Sequence, residues 1–321
     1  MFCIKGAPVT DWKMHAPVVF IIFNRPDTTR QVFEAIRHVQ PPKLLVVADG
    51  PRAECEGEAE KCATTRAIIE QVDWDCEVLT EYSETNLGCK RRVASGLKWA
   101  FEQVEEAIIL EDDCLPHPTF FRFAEELLEK YRDDQRIVAI SGFNPQPGND
   151  NTQYSYYFSR YSMIWGWATW RRSVELYNPD IDLWPEIRNE GWLEELFELK
   201  TEKKYWHNIF EGVYSQKIDT WDYSWFFMSL IQNRFTISPN VNLVSNIGFS
   251  KDATHTLYSD HHLANLPTSE MKFPLKHPLF VIRNNKADRL TRDVFFNIGP
   301  FQNRVIRKIK KIRNRYFSVG G

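Results

Sequence analysis

The sequence predicts an α/β fold, with a mostly parallel central sheet covered by helices on both faces. Short continuous apolar runs such as Pro17-Val-Val-Phe-Ile-Ile-Phe23 read as strands buried on both sides. Between them lie segments whose apolar residues recur at helical spacing. The runs end in turn-forming or acidic residues, at the edge where such sheets open into a ligand crevice.

The first strand, Pro17–Phe23, is broken by Asn24-Arg25-Pro26. Asp27 is expected to cap a helix with Val32, Ala35, Ile36 and Val39 on one face, and Pro41-Pro42 ends it. Lys43–Ala48 is the second strand, stopped by Asp49-Gly50-Pro51. A helix is expected around Thr65–Gln71 and a third strand over Cys76–Thr80. Asn86-Leu87-Gly88 opens a helix carrying Val93, Ala94, Leu97, Ala100 and Phe101. The fourth strand, Ala107–Leu110, runs directly into Glu111-Asp112-Asp113. A helix at 118–131 and a strand at 137–140 continue the alternation.

The second half is less regular. Tyr154–Phe158 is strand-like, and 190–210 has helical patterning. Trp165–Trp170 is an aromatic block, expected as a strand with Trp165 and Trp167 on one side. Asp219 or Thr220 is expected to cap a helix reaching about Gln232. Short strands are expected at 235–238 and 242–245. Without a linker or repeat, residues 1–303 read as one domain with an elaborated C-terminal half, and 304–321 as a basic tail.

At 321 residues and 43% apolar composition the chain can bury a substantial core. A net charge of -3 argues against nucleic-acid binding. The six cysteines form no CxxC pair, which suits free thiols in a reducing, cytoplasmic setting. No apolar run is long enough to span a bilayer. Residues 304–315 hold seven basic residues and no acid, so the remainder carries about -10. Val305, Ile309, Ile312 and Tyr316 give this tail an amphipathic helical spacing. Two readings stand: peripheral contact with the anionic inner face of a membrane, or a helix packed on the acidic body.

The acidic cluster carries the chemistry. Three adjacent carboxylates at the end of a buried strand repel one another, by roughly a kcal/mol or more per close pair, unless a cation sits among them. Mn2+ or Mg2+ binds carboxylate oxygens and takes phosphate oxygens as further ligands. A cluster that merely caps the following helix is the bland alternative. No His spacing supports zinc, including His207 and His261-His262. Cys89 and Cys114 read as packing residues.

With these pieces in place, the chain resembles the inverting glycosyltransferases of the GT-A fold, the N-acetylglucosaminyltransferase I type and its bacterial relatives. The resemblance rests on the ordered set Val19–Arg25, Val46–Gly50, Asn86–Gly88, Ile108–Asp113, Trp165–Trp167, Trp221-Asp222 and Ile237–Pro239. It implies a GT-A-like sheet and a nucleoside-diphosphate sugar donor, with uridine as the base. It further implies that Asn24 and Arg25 approach the nucleotide and that Asp49 accepts a hydrogen bond from the base. Glu111 and Asp112 would orient ribose and sugar, Asp113 would hold the metal, and Asp222 would be the general base. The loop 251–256 would close over the phosphates, with Thr254 or His255 donating hydrogen bonds. The Glu-Asp-Asp form, in place of the commoner Asp-x-Asp, is that of the same subgroup.

Arg25, Lys90, Arg91 or Arg92 could add positive charge at the diphosphate, and Arg91 is taken as the contact. Cations at a helix N-terminus oppose its dipole, which keeps a phosphate role open beside a merely solvated one. Trp165, Trp167 and Trp170 are candidates to stack on a saccharide or lipid-linked saccharide acceptor. A nucleotidyltransferase on a related sheet is the alternative enzyme, although Phe23-Asn-Arg-Pro26 is not its Gly-rich loop. A non-catalytic nucleotide- or sugar-binding protein is the alternative outside enzymes.

Overall fold

A computed structural model describes residues 12–146, 152–249 and 265–298. Its centre is an eight-stranded sheet of order β3-β2-β1-β4-β8-β6-β9-β7. The strands are β1 Val18–Ile22, β2 Lys43–Ala48, β3 Glu77–Tyr82, β4 Glu106–Glu111, β6 Ile137–Ser141, β7 Tyr156–Ser159, β8 Trp167–Trp170 and β9 Phe235–Pro239. Two short strands, β5 Cys114–Pro116 and β10 Val244–Asn246, pair antiparallel beside it.

The sheet has two characters. β3, β2, β1 and β4 are mutually parallel. β8 then runs antiparallel to both β4 and β6, β9 is parallel to β6, and β7 is antiparallel to β9. The expected mostly parallel sheet is therefore present, with every antiparallel pairing in it made by β7 or β8.

Helices cover both faces. α1 Pro26–Val39 and α4 Thr119–Lys130 lie on one side, around a core that includes Phe20, Phe33, Leu110 and Leu127. On the other, α3 Cys89–Gln103 packs Val93, Leu97 and Phe101 against Val19, Val47 and Ile109. α2 Glu58–Ala67 follows β2, so this helix starts well before the expected Thr65. Short helices α5 Arg171–Val174, α6 Trp184–Asn189 and α7 Leu193–Leu196 lead into α8 Lys200–Tyr214 and α9 Asp222–Ile231. α6, α8 and α9 enclose a third, aromatic core with Trp184, Trp206, Phe210 and Phe227. α10 Asn285–Val294 closes the described chain.

Two expected caps are corrected. Arg25, not Asp27, is the N-cap of α1, because Pro26 takes the first helical position and its missing N–H costs nothing there. Neither Asp219 nor Thr220 caps α9. Trp221 is the N-cap, and the Thr220 hydroxyl instead donates to the Asp222 carboxylate.

The aromatic block also differs. Gly166 adopts φ +60, a left-handed conformation that L side chains rarely take, and the strand begins only at Trp167. Trp165 and Trp167 therefore do not share a face. Trp167 is buried against Trp221 and Trp225, with ring centroids 5.5 and 4.7 Å away. Trp165 packs on Phe143 and Phe249, at 4.5 and 5.7 Å. Trp170 lies in the core, its Nε1 donating to the Leu128 carbonyl at 3.2 Å. The 304–321 tail lies outside the described residues.

Candidate active site

The C-terminal ends of β1, β2 and β4 meet the start of α9 around a cleft of about 510 Å³. Its walls include Arg25, Asp49, Arg52, Arg92, Glu111, Asp112, Asp113, Trp165, Asp219 and Asp222. A groove of about 740 Å³ between Trp12, Trp74 and Phe273 is larger but contains none of them. Convergence of carboxylates, rather than volume, singles out the smaller one.

β4 delivers the acidic cluster because Ala107–Leu110 is fully buried and the chain emerges only at Glu111. The Asp112 carboxylate accepts from the Phe23 backbone N–H at 3.2 Å, which ties the ends of β1 and β4 together. Arg25 reaches across from the start of α1. Its guanidinium is 2.8 Å from Asp113 Oδ2 and 3.6 Å from Asp112 Oδ1. Burial pushes the Asp112 carboxyl up to about 7 despite Arg25, with Asp113 adding to the rise. Burial, followed by Asp113, Asp112 and Asp222, holds Glu111 well above the ordinary carboxylate range. One guanidinium thus only partly offsets the cluster.

That imbalance is the test of fit for a divalent cation. Among the described residues no group of three or more His, Cys, Asp or Glu side chains is arranged to hold a metal ion. What is present is a pair of adjacent carboxylates, Asp112 and Asp113, on the wall of an open cleft. It suits a hard cation that completes its shell with water and phosphate oxygens. Asp113, paired with Arg25, and Asp112 beside it are the carboxylates that could hold such an ion. Burial pushes the Cys89 and Cys114 thiols up, and both pack into the cores on either side of the sheet, as expected for packing residues.

The far side of Asp113 is sealed by backbone. β10 pairs with β5 and brings residues 246–248 over the cluster; the Ile247 N–H donates to the Asp113 carbonyl at 2.8 Å. A Cβ on Gly248 would lie 2.2 Å from Asp113 Oδ2, so only glycine fits beside this carboxylate.

Asp49 sits at the end of β2, buried, with all its strong interactions to backbone. Oδ1 accepts from Leu87 and Gly50 N–H, each at 2.9 Å, and Oδ2 from Gly88 N–H at 3.1 Å. Burial raises its pKa and these bonds oppose the rise. Its visible role is to hold the 86–88 turn against the cleft.

Asn24 is not among the lining side chains; its Nδ2 donates to Glu58 Oε1 at 2.8 Å. Arg91 is exposed and also outside the cleft. Arg92 takes that place, buried and donating to the Glu81 carbonyl at 3.0 Å, while Lys90 pairs with Asp180 at 2.7 Å. The signal was in the helix period: Arg92 stands one turn before buried Gly96 and two before Ala100, and Arg91 does not. Arg52 was not anticipated. It lines the cleft near Phe23, its guanidinium carbon 5.9 Å from the ring centroid, and forks onto Glu58. Thr254 and His255 lie outside the described residues.

Asp222 opens α9 on the opposite wall. Its Oδ1 accepts from Thr220 Oγ1 and from the Tyr223 N–H, the latter at 2.8 Å. Asp219 and Trp221 line the same wall. Neither was anticipated as a site residue.

The model of the GNT-I family matches residues 3–204. The chain belongs to the GNT-I family. This is the type of family to which the sequence resemblance pointed. The match covers Arg25, Asp49 and the acidic cluster and stops before Asp222. No curated protein matches the sequence.

Solved structures similar to this GNT-I family chain include a mannosyltransferase, PcManGT, from Pyrobaculum calidifontis in complex with GDP-Man and Mn2+. It is 16% identical with a TM-score of 0.36, over 53% of this chain and 48% of that one. The present chain therefore spans about half the length of that relative. HddC from Yersinia pseudotuberculosis aligns at 8% identity and TM-score 0.31, over 50% and 80% of the two chains. Mouse xyloside xylosyltransferase 1 in its apo form aligns at 10% and 0.34, over 67% and 81%. Superpositions this loose carry no functional weight.

Proposed function

We propose that this chain transfers a sugar from a nucleoside-diphosphate donor, with uridine as the base, to a hydroxyl of a saccharide or lipid-linked saccharide. The transfer inverts the anomeric centre and depends on Mn2+ or Mg2+. The observation that carries the reading is one cleft with two acidic walls: Glu111-Asp112-Asp113 on one side and Asp222 on the other.

Asp113 would hold the cation, with Asp112 beside it; once bound, the ion supplies electrostatic stabilisation of the departing diphosphate. Arg25 now occupies Asp113, and would shift toward phosphate oxygens as its carboxylate is taken up. Glu111 and Asp112 orient ribose and sugar. Asp49 acts through the 86–88 turn it holds and, in this reading, on the base. Thr254 and His255 remain the proposed phosphate donors.

The acceptor oxygen attacks the anomeric carbon from the face opposite the diphosphate. As that C–O bond forms, the bond to the diphosphate oxygen breaks and carries its electron pair away. Asp222 takes the hydroxyl proton, a role that requires approach to about 2.6–3.2 Å. The Thr220 and Tyr223 bonds to its Oδ1 support this reading, because they fix the carboxylate at the cleft wall. Trp165, at the cleft wall, is the proposed stacking surface for acceptor.

A donor panel incubated with Mn2+ tests the proposal. Consumption of one nucleotide-sugar, releasing nucleoside diphosphate, is expected. Release of pyrophosphate from a nucleoside triphosphate and a sugar phosphate would show nucleotidyl transfer instead. Binding without turnover over a broad acceptor screen would show a non-catalytic module.

A further inference from the structure

The most exposed apolar side chains of the described chain lie together, far from the cleft. Leu279, Phe280 and Ile282 are 80%, 71% and 69% exposed within the loop Pro278-Leu-Phe-Val-Ile282. Scattered surface leucines need no explanation, but three large residues in four positions form a patch that does. The loop is anchored at both ends. His277 bonds the Tyr156 hydroxyl at 2.9 Å, and Arg283 bridges to Phe158 of β7. It is thus held outward on a rigid base.

Its surroundings are basic. From Lys272 to Arg292 the sequence has six basic residues against one acid, Asp288, which is buried and paired with Arg283. Lys272, Lys276, Lys286 and Arg289 are exposed. Lys130 and Arg136 line the groove beside the loop, where Arg136 is offset by Asp134 at 2.7 Å.

We propose that this loop is a membrane-insertion prong, its apolar tip entering an anionic lipid surface and its basic collar meeting the headgroups. Charge decides between occupants. A second copy docked on the same patch would oppose two basic collars. The chain's own 304–315 segment carries seven basic residues and is repelled for the same reason. Both segments instead favour the same anionic surface, so the tail and the loop act as two weak signals where one would bind only marginally.

The placement has a consequence for orientation. β6 begins just after Arg136 and runs in the same direction as β1 and β4, through its antiparallel pairing with β8. The loop therefore lies at the end of the sheet where these strands start, and the cleft at the end where they finish. A membrane-docked enzyme would present its cleft to the aqueous side. This inference is independent of the sugar-transfer reading, since it concerns binding alone.

Flotation of the full-length chain with vesicles, with and without an anionic phospholipid added to phosphatidylcholine, tests it. The wild type should float with the anionic vesicles only. Leu279→Ser, Phe280→Ser and Ile282→Ser combined should lower the bound fraction at least about tenfold, with circular dichroism unchanged. Neutralising the tail through Lys308→Gln, Lys310→Gln and Lys311→Gln should leave a larger bound fraction than the loop variant does. The proposal is overturned if the loop variant floats like wild type, or if wild type does not float. A wild-type dimer that the loop variant converts to monomer, or a bound protein partner lost with the loop, would equally overturn it.

Discussion

The two halves of the sheet build the two walls of the cleft by different means. In the parallel half, β1, β2 and β4 have fully buried apolar interiors and show polar side chains only at their two ends. Arg25, Asp49 and Glu111–Asp113 are consequently fixed by strand ends and backbone hydrogen bonds. In the mixed half, Trp165 and Asp222 ride on an aromatic core and on the entrance to α9. The difference separates the proposed donor wall, rigid and charged, from the proposed acceptor wall, set by turns and ring packing. Substitutions on the two walls should therefore fail differently.

The largest effect is expected on the donor wall. Asp113→Asn should lower turnover by ~10³-fold, the scale of losing one preorganised electrostatic element. Steady-state rates at saturating Mn2+ measure it, and near-normal turnover would remove Asp113 from the site. On the opposite wall, Asp222→Asn should lower kcat by ~10²-fold or more and leave the donor Kd unchanged. Equal losses in both quantities would erase the distinction between the walls.

Gly248→Ala sharpens the comparison, since it alters no charge. Its Cβ would collide with Asp113 Oδ2. The expected result is a stability loss of about 1–3 kcal/mol in denaturant titration, with weakened metal-dependent nucleotide binding. Unchanged binding would show that Asp113 moves without consequence. Trp165→Ala should raise the acceptor KM by about two- to tenfold, the range of one aromatic contact, without changing donor affinity. Smallest of all, Arg91→Ala should stay within about 0.5 kcal/mol of wild-type stability. Arg92→Ala should cost about 1–3 kcal/mol, because it strips partly buried Glu81 of both its carbonyl hydrogen bond and its ion pair.

The same division governs what could be read from sequence. β1, β2 and β4 are continuous apolar runs bounded by Pro, Gly or acid, so their ends, and with them the acidic cluster, were legible. Register on α3 was legible in principle, since helical period separates Arg92 from Arg91. The mixed half was harder because its determinants are not periodic. Gly166 breaks the strand pattern between Trp165 and Trp167, and one positive φ sends the rings to different cores. The Thr220–Asp222 contact replaces the expected cap with a local side-chain bond. Gly248 acquires meaning only through the distant pairing of β10 with β5, which no local pattern announces.

The central claim is that Asp113 and a bound nucleotide share a divalent cation. Calorimetric titration of the chain with uridine diphosphate, once with Mn2+ and once with chelator, addresses it directly. The account predicts binding that requires Mn2+ and is lost in Asp113→Asn while the fold is retained. Equal affinity in both solutions, or Mn2+-dependent binding that survives Asp113→Asn, would contradict it.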